Sequence, residues 1–234
     1  MKIRIKFSKH GSMKFIGHLD IMRYFQKVMR RAHVDIRYSE GFSPHQIMSF
    51  ASPLGVGITS NGEYLDIEVH STDSSKVMVD RINQAMVEEI RVLSYRRLED
   101  SGKNAMSLVS AADYTLEFRE NHVPEDLEGF FENLDRFYGQ EQILIVKPTK
   151  RGQKEIDLKP LVYRLERRGM GIFMQVSAGS SDNIKPELVM EEFYKSRQWE
   201  YPRFAFQIQR EEVYGRDGGT GRLIPLEDFG EDIE

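Results

Sequence analysis

Three stretches near the start of the chain concentrate side chains able to bind or to move protons. They are Gly17-His18-Leu19-Asp20, Tyr38-Ser-Glu-Gly-Phe42-Ser-Pro-His45 and Ser49-Phe-Ala-Ser-Pro-Leu-Gly-Val-Gly57. Imidazoles titrate near neutral pH, so His18 and His45 are candidates for a general acid and base. His18 opens a helical pattern, where free backbone N–H groups attract anions, and His45 follows Pro44 in a loop open to a ligand. Asp20, in the first helical turn, fits a dipole-stabilising role. Tyr38 and Phe42 are placed to stack on an unpaired base. Lys6, Lys9, Arg23, Lys27 and Arg30 supply cations for phosphate contacts. A second cationic block runs from Lys147 to Lys159, where Lys147, Lys150, Arg151 and Lys154 surround Gly152. Such a loop lets backbone and cations approach an anion together. Asp157 beside it is an ion-pair partner or a catalytic carboxylate, and the ion pair is favoured.

Other chemistries find less support. The histidines at 10, 18, 33 and 45 form no HxH or HxxxH pair, so no metal site is expected. Gly55-Val-Gly57 is a fragment of a phosphate loop without GxGxxG or GxxxxGK[ST], and no GxSxG elbow is present. The sequence has no cysteine, which excludes disulfides, thiol catalysis, Cys-ligated zinc and the usual iron–sulfur cluster. No cofactor is expected. No apolar run reaches the roughly 18–20 residues of a membrane span. The start, MKIRIKFSKHGSMKF, lacks a signal-peptide apolar core, so a cytoplasmic location is expected.

Charge is unevenly spread. The net charge is −4, yet residues 1–60 hold ten Lys/Arg against three acids, a local +7. Residues 141–170 carry +4 and residues 211–234 carry −6. Two basic segments and an acidic end point to a polyanionic partner.

The elements that must hold these residues follow from periodicity. Lys2–Phe7 alternates, with Ile3, Ile5 and Phe7 on one face and Lys2, Arg4 and Lys6 on the other, as in a half-buried strand. Residues 18–32 read as a helix with Met22, Phe25, Met29 and Ala32 inward. Strands are expected over 46–51 and 63–69 with a turn at Asn61-Gly62, a helix over 74–87 and a strand over 90–98. The order recurs as strand 114–118, helix 124–137, strands 142–147 and 171–177, helix 185–195 and strand 203–210. The fold class is therefore α+β, with two tandem ferredoxin-like (β-α-β-β-α-β) halves. The expected boundaries are 1–98 for the first half, 99–111 for a linker, 112–212 for the second half and 213–234 for an acidic, mobile tail.

The run from His18 to Val69 resembles the radical SAM-associated protein family, a domain of uncharacterised function found beside or fused to cobalamin-binding radical SAM enzymes. The family pattern is S-H-L-D, then G-F-x-P-H-P-K, PL-x-x-G and G-E-Y-x-D. The matching residues are His18-Leu19-Asp20, Gly41-Phe42-Ser43-Pro44-His45, Pro53-Leu54 with Gly57, and Gly62-Glu63-Tyr64 with Asp66. Gly17 stands where Ser is usual, and Gln46-Ile47 replaces Pro-Lys, so one basic position is missing. Residues 149–159 resemble a second landmark, and the resemblance spans roughly residues 1–210. It implies a radical SAM enzyme as partner. Without cysteine this chain cannot ligate that enzyme's cluster, which leaves it an accessory role, presenting an RNA substrate by analogy of fold. The rivals are an RNA-processing or RNA-modifying enzyme using His18 and His45, and a purely structural protein–protein adaptor.

Overall fold

The computed structural model describes residues 1–149, 152–180 and 182–234, with the side chains of 147–149, 153 and 154 outside that description. In chain order the elements are β1 (Lys2–Lys9), α1 (His18–Arg31), β2 (Met48–Phe50), β3 (Thr59–Glu68), α2 (Ser75–Gln84), β4 (Ile90–Leu98), α3 (Ala105–Leu108), β5 (Val109–Phe118), α4 (Leu127–Tyr138), β6 (Leu144–Thr149), β7 (Gly152–Asp157), β8 (Val162–Arg168), β9 (Gly171–Ser177), α5 (Pro186–Ser196), β10 (Phe206–Arg216), β11 (Leu223–Pro225) and β12 (Gly230–Asp232). The protein is α+β, and β1 pairs antiparallel with β3 and β4, as β9 does with β5 and β8. The chain forms two compact units, residues 1–110 with 210–234, and residues 111–209.

In the first unit the strands lie in the order β12-β4-β1-β3-β10, with β2 on β3 and β11 on β10. β1 pairs antiparallel with both β3 and β4, so the first 98 residues follow the order β-α-β-β-α-β. Ile3, Ile5 and Phe7 of β1 pack with Phe25, Val28 and Met29 of α1, Leu65 and Ile67 of β3, and Ile82 of α2. α1 buries Ile21, Phe25, Val28 and Met29, with Met22 only half-buried. Asn61-Gly62 is no turn. It lies inside β3, where a Cβ on Gly62 would stand 2.8 Å from the Glu212 Cα. Glycine permits that close backbone approach, and Asn61 Nδ2 donates to Glu211 Oε2 at 2.7 Å.

The opposite face of the sheet is covered too. Arg4, expected at the solvent face, is fully buried. Its Nε and Nη2 donate to the two carboxylate oxygens of Asp66 at 2.8 and 2.9 Å, and Nη1 donates to the Leu226 carbonyl at 2.9 Å. Lys6 Nζ donates to Glu212 and Glu227, each at 2.6 Å, and Tyr64 Oη donates to Glu212 at 2.7 Å. Residues 213–234, expected as a mobile tail, are therefore folded: β10 ends in them, β11 and β12 follow, and Leu226 is fully buried. Their acids pair with β1 and β4, and Arg96 reaches Asp228 at 3.0 Å. Residues 99–111, expected as a linker, instead hold α3 and the start of β5. Ala105 N–H donates to Asp66 at 2.7 Å, and Asn104 caps α3 by accepting from Ser107 N–H.

In the second unit β10, β5, β9 and β8 are neighbours in that order. The stretch expected as that half's second strand is β6, which pairs with β7 in a separate two-stranded sheet. β8, which falls between the expected strands 142–147 and 171–177, takes the place beside β9. α4 starts at Leu127 rather than Pro124, because Asp126 accepts from Gly129 N–H at 2.9 Å. The Asp157 carboxylate accepts from the backbone N–H groups of Ile143 and Lys159, and the cations expected to pair with it, Lys150, Arg151 and the side chains of Lys147 and Lys154, lie outside the described residues.

Burial works against the Lys6 ammonium, but hydrogen bonds and charge from Glu212 and Glu227 outweigh it and hold its pKa above the usual value. Burial likewise opposes the Glu227 carboxylate, and Lys6 and Ser94 still draw its pKa below the usual value. The Glu227 contribution to stability is present above the ordinary carboxylate pKa and lost as pH falls through the lowered one. The Lys6 contribution is present below the ordinary lysine pKa and lost as pH rises through the raised one, so both hold at neutral pH. In Lys6→Met the two carboxylates face each other unneutralised. Urea denaturation should show a loss of about 3 kcal/mol at pH 7 that shrinks as pH falls toward 5, because protonation relieves the repulsion. An equal loss at both pH values would contradict this account.

Candidate nucleic-acid interface

α1 divides cleanly around its circumference. At 100° per residue, Leu19, Arg23, Gln26, Lys27 and Arg30 fall within about 100°, opposite Phe25 and the core. Leu19, Arg23, Lys27 and Arg30 are exposed. Arg23 pairs with Asp20 at 3.1 Å, both side chains open to water, an arrangement worth little. Asp20 is thus a surface partner as well as a first-turn acid. Lys27, Arg30 and the adjacent exposed Arg31 have no ion-pair partner among the described residues.

A hairpin-like loop stands beside this face. Tyr38 and Gln46 form an isolated antiparallel bridge, and Ser39 N–H donates to the His45 carbonyl at 2.8 Å. Ser39 Oγ accepts from the His45 N–H at 3.1 Å and lies 2.8 Å from its Nδ1. Gln46 Nε2 donates to the Gln26 carbonyl at 3.3 Å, which fixes the loop against α1 between Arg23 and Lys27. The tip is turned outward: Phe42 is 111% exposed and Tyr38 48%. Exposed aromatic rings next to unpaired cations suit stacking on bases with phosphate neutralisation. Ser39 and Gln46 are the positioning residues that sequence reasoning missed. Their signal was the Tyr38/Gln46 flanking of a Gly- and Pro-containing loop, a hairpin pattern.

Other expected contacts are not at this surface. Lys6 is engaged by Glu212 and Glu227, and its carboxylate partners leave it no phosphate role. Lys9 has a side chain only 3% exposed, 3.7 Å from Glu63, which Arg210 approaches at 3.6 Å from the other side. Burial, with Arg210 adding to it, lowers the Lys9 pKa against the pull of Glu63. Alternation held the warning, since Lys9 continues the inward series Ile3, Ile5, Phe7. His18 is half-buried with its ring edge-on to Phe50, centroids 5.2 Å apart. It precedes Gln26, where the loop carrying His45 is tied to α1 through Gln46, by eight residues, about 12 Å of helix axis. Lys150 and Arg151 lie outside the described residues, as do the side chains of Lys147 and Lys154. The backbones of Lys147 and Lys154 are cross-strand partners in the β6–β7 pair. Among the described residues no three His, Asp or Glu side chains converge to hold a metal, and no helix is long and apolar enough to cross a membrane.

The motif residues of the GEY-x-D run turn out to be structural. Gly62 admits β10, Glu63 joins Lys9 and Arg210, Tyr64 bonds Glu212, and Asp66 holds Arg4. Residues 2–186 match a family described as "Uncharacterized protein conserved in bacteria (DUF2344)". The chain belongs to that family. No curated protein matches it. Among solved structures, a chain of a crystal structure of a Cbf5-Nop10-Gar1 complex is similar at a TM-score of 0.43 and 12% identity, over 90% of this chain. This chain spans 48% of that chain's length.

The division between surface and core is measurable. Phe42→Ala should change unfolding free energy by no more than about 0.5 kcal/mol. Phe50→Ala should cost about 3–5 kcal/mol, because its ring packs on Phe7, Phe25 and His18. Comparable losses for both would mean that the loop tip is packed.

Proposed function

We propose that this family member binds RNA through the exposed face of α1 and the Tyr38–Gln46 loop, and presents it to a radical SAM enzyme in the cytoplasm. The observation that carries the RNA half is the juxtaposition of Arg23, Lys27 and Arg30 with outward-facing Tyr38, Phe42 and His45, fixed by the Gln46–Gln26 hydrogen bond. Cations supply sequence-independent affinity, and the rings accept unpaired bases. The basic β6–β7 segment, with Lys147, Lys150, Arg151 and Lys154, is a second contact strip. The radical SAM half rests on the motif resemblance and on the absence of cysteine, which assigns cluster chemistry to another protein.

The interface is tested by filter binding of single-stranded RNA at several salt concentrations. Replacing Arg23, Lys27 and Arg30 together by Ala should weaken binding and flatten the slope of log affinity against log salt by about 2, since each lost contact removes about 0.7. Lys150→Ala with Arg151→Ala should act in the same direction. Affinity indifferent to salt and to both sets of changes would refute the reading. RNA cleavage by the isolated protein, abolished by His45→Ala, would favour the enzyme instead, and capture of a radical SAM protein with no RNA affinity would favour an adaptor.

A further inference from the structure

The second unit holds a cavity of about 460 Å³ between the start of α4 and the end of α5. Its aromatic walls are Phe130, Tyr194 and Trp199, and Asn121, His122 and Asn133 bring polar groups to it. Trp199 is locked in place by the way α5 ends. Gln198 takes φ +58, Gln198 N–H donates to the Lys195 carbonyl at 3.0 Å, and Trp199 N–H donates to the Tyr194 carbonyl at 3.0 Å. This paired closure of a helix end in the left-handed conformation costs a residue other than glycine about 1–2 kcal/mol, and it brings the indole back onto Tyr194. The indole sits 6.0 Å from Tyr194 and 6.4 Å from Phe130, the latter at an interplanar angle of 22°.

Apolar packing alone leaves two features unexplained. Trp199 remains 41% exposed although three rings support it. Asn133 Nδ2 donates to the Gly129 carbonyl at 2.7 Å, while its buried Oδ1 has no hydrogen-bond partner among the described residues. A buried amide oxygen left unpaired carries a desolvation cost, which a ligand donor relieves once the Asn133 amide turns toward the cavity. Among the described residues no Lys or Arg lines the cavity, which does not favour phosphate. The carboxylate that lines it, Asp126, is already engaged by Gly129 N–H, so it does not form an aromatic cage for a cation.

We infer that this cavity takes an unpaired nucleobase, stacked on Trp199 with its hydrogen-bonding edge toward Asn133, Asn121 and His122. A base has a flat π-face of suitable size and an edge carrying both donors and acceptors, which amide and imidazole groups complement. The inference deepens the RNA-binding reading and rests on it, but it commits to a different unit of the chain.

Trp199 is the single tryptophan in the sequence, so fluorescence excited at the red edge of indole absorption, where the ten tyrosines do not absorb, reports on this cavity alone. Titration with single-stranded hexa-adenylate and hexa-uridylate should quench it saturably, and tetramethylammonium chloride should not. Trp199→Ala should weaken binding of a labelled hexanucleotide on the order of tenfold, and Trp199→Phe by no more than about threefold. Asn133→Leu should weaken it severalfold. Absence of quenching by either RNA overturns the inference even where RNA binding through α1 persists. Quenching by tetramethylammonium but not by RNA also overturns it. Saturable quenching combined with an affinity indifferent to the Arg23, Lys27 and Arg30 changes upholds the cavity and removes the α1 reading.

Discussion

Burying Arg4 constrains the first unit more than any other contact. A guanidinium stays charged at any accessible pH and carries five N–H donors, so enclosing it requires acceptors on several sides. β3 supplies the Asp66 carboxylate, and the Lys103 and Leu226 carbonyls supply two more oxygens. Those last two residues lie in stretches that composition marks as linker and tail. The charge on β1 therefore dictates that both stretches fold. Lys6 repeats the logic one pleat further along with Glu212 and Glu227, and Arg96 with Asp228 continues it on β4.

This layer of ion pairs changes the meaning of the charge asymmetry. The excess of cations in residues 1–60 and the excess of acids in residues 211–234 are partly two halves of one internal arrangement. Arg4, Lys6 and Lys9 are consumed by folding. Among the described cations of residues 1–60, Arg23, Lys27 and Arg30 stay exposed on the outer face of α1, beside the Tyr38–Gln46 loop, for the proposed polyanion. A smaller basic surface with adjacent aromatic rings is more specific than a diffuse positive field, because stacking demands an unpaired base where charge does not.

Local periodicity made much of the fold legible. Alternation in β1 and the helical spacing of α1 went furthest toward the β-α-β-β-α-β order of the first 98 residues. Pairings between distant segments were not legible. Nothing local in Leu223–Asp232 announces that Glu227 meets Lys6, and Asn61-Gly62 imitates a turn because a close strand approach and a turn both need glycine. β7 and β8 were hidden because Gln153-Lys-Glu155 and Arg164-Leu-Glu-Arg-Arg168 are charged enough to read as loop. At the candidate site, Phe42, Tyr38 and His45 were visible as loop residues. The burial of Lys9 was visible only to strict alternation, and the cavity around Trp199 was not, since Phe130 and Trp199 lie 69 positions apart.

Lys6 of β1 and the carboxylates of Glu212 and Glu227 near the end of the chain form one structural unit. The most direct measurement is a double-mutant cycle on unfolding free energy across Lys6→Met and Glu227→Gln. Strong coupling is expected, with the double change costing less than the two single changes together by more than about 1.5 kcal/mol. Losses that simply add, within about 0.5 kcal/mol, would show that the two ends of the chain fold independently, and would return Lys6 to the pool of cations open to a polyanion.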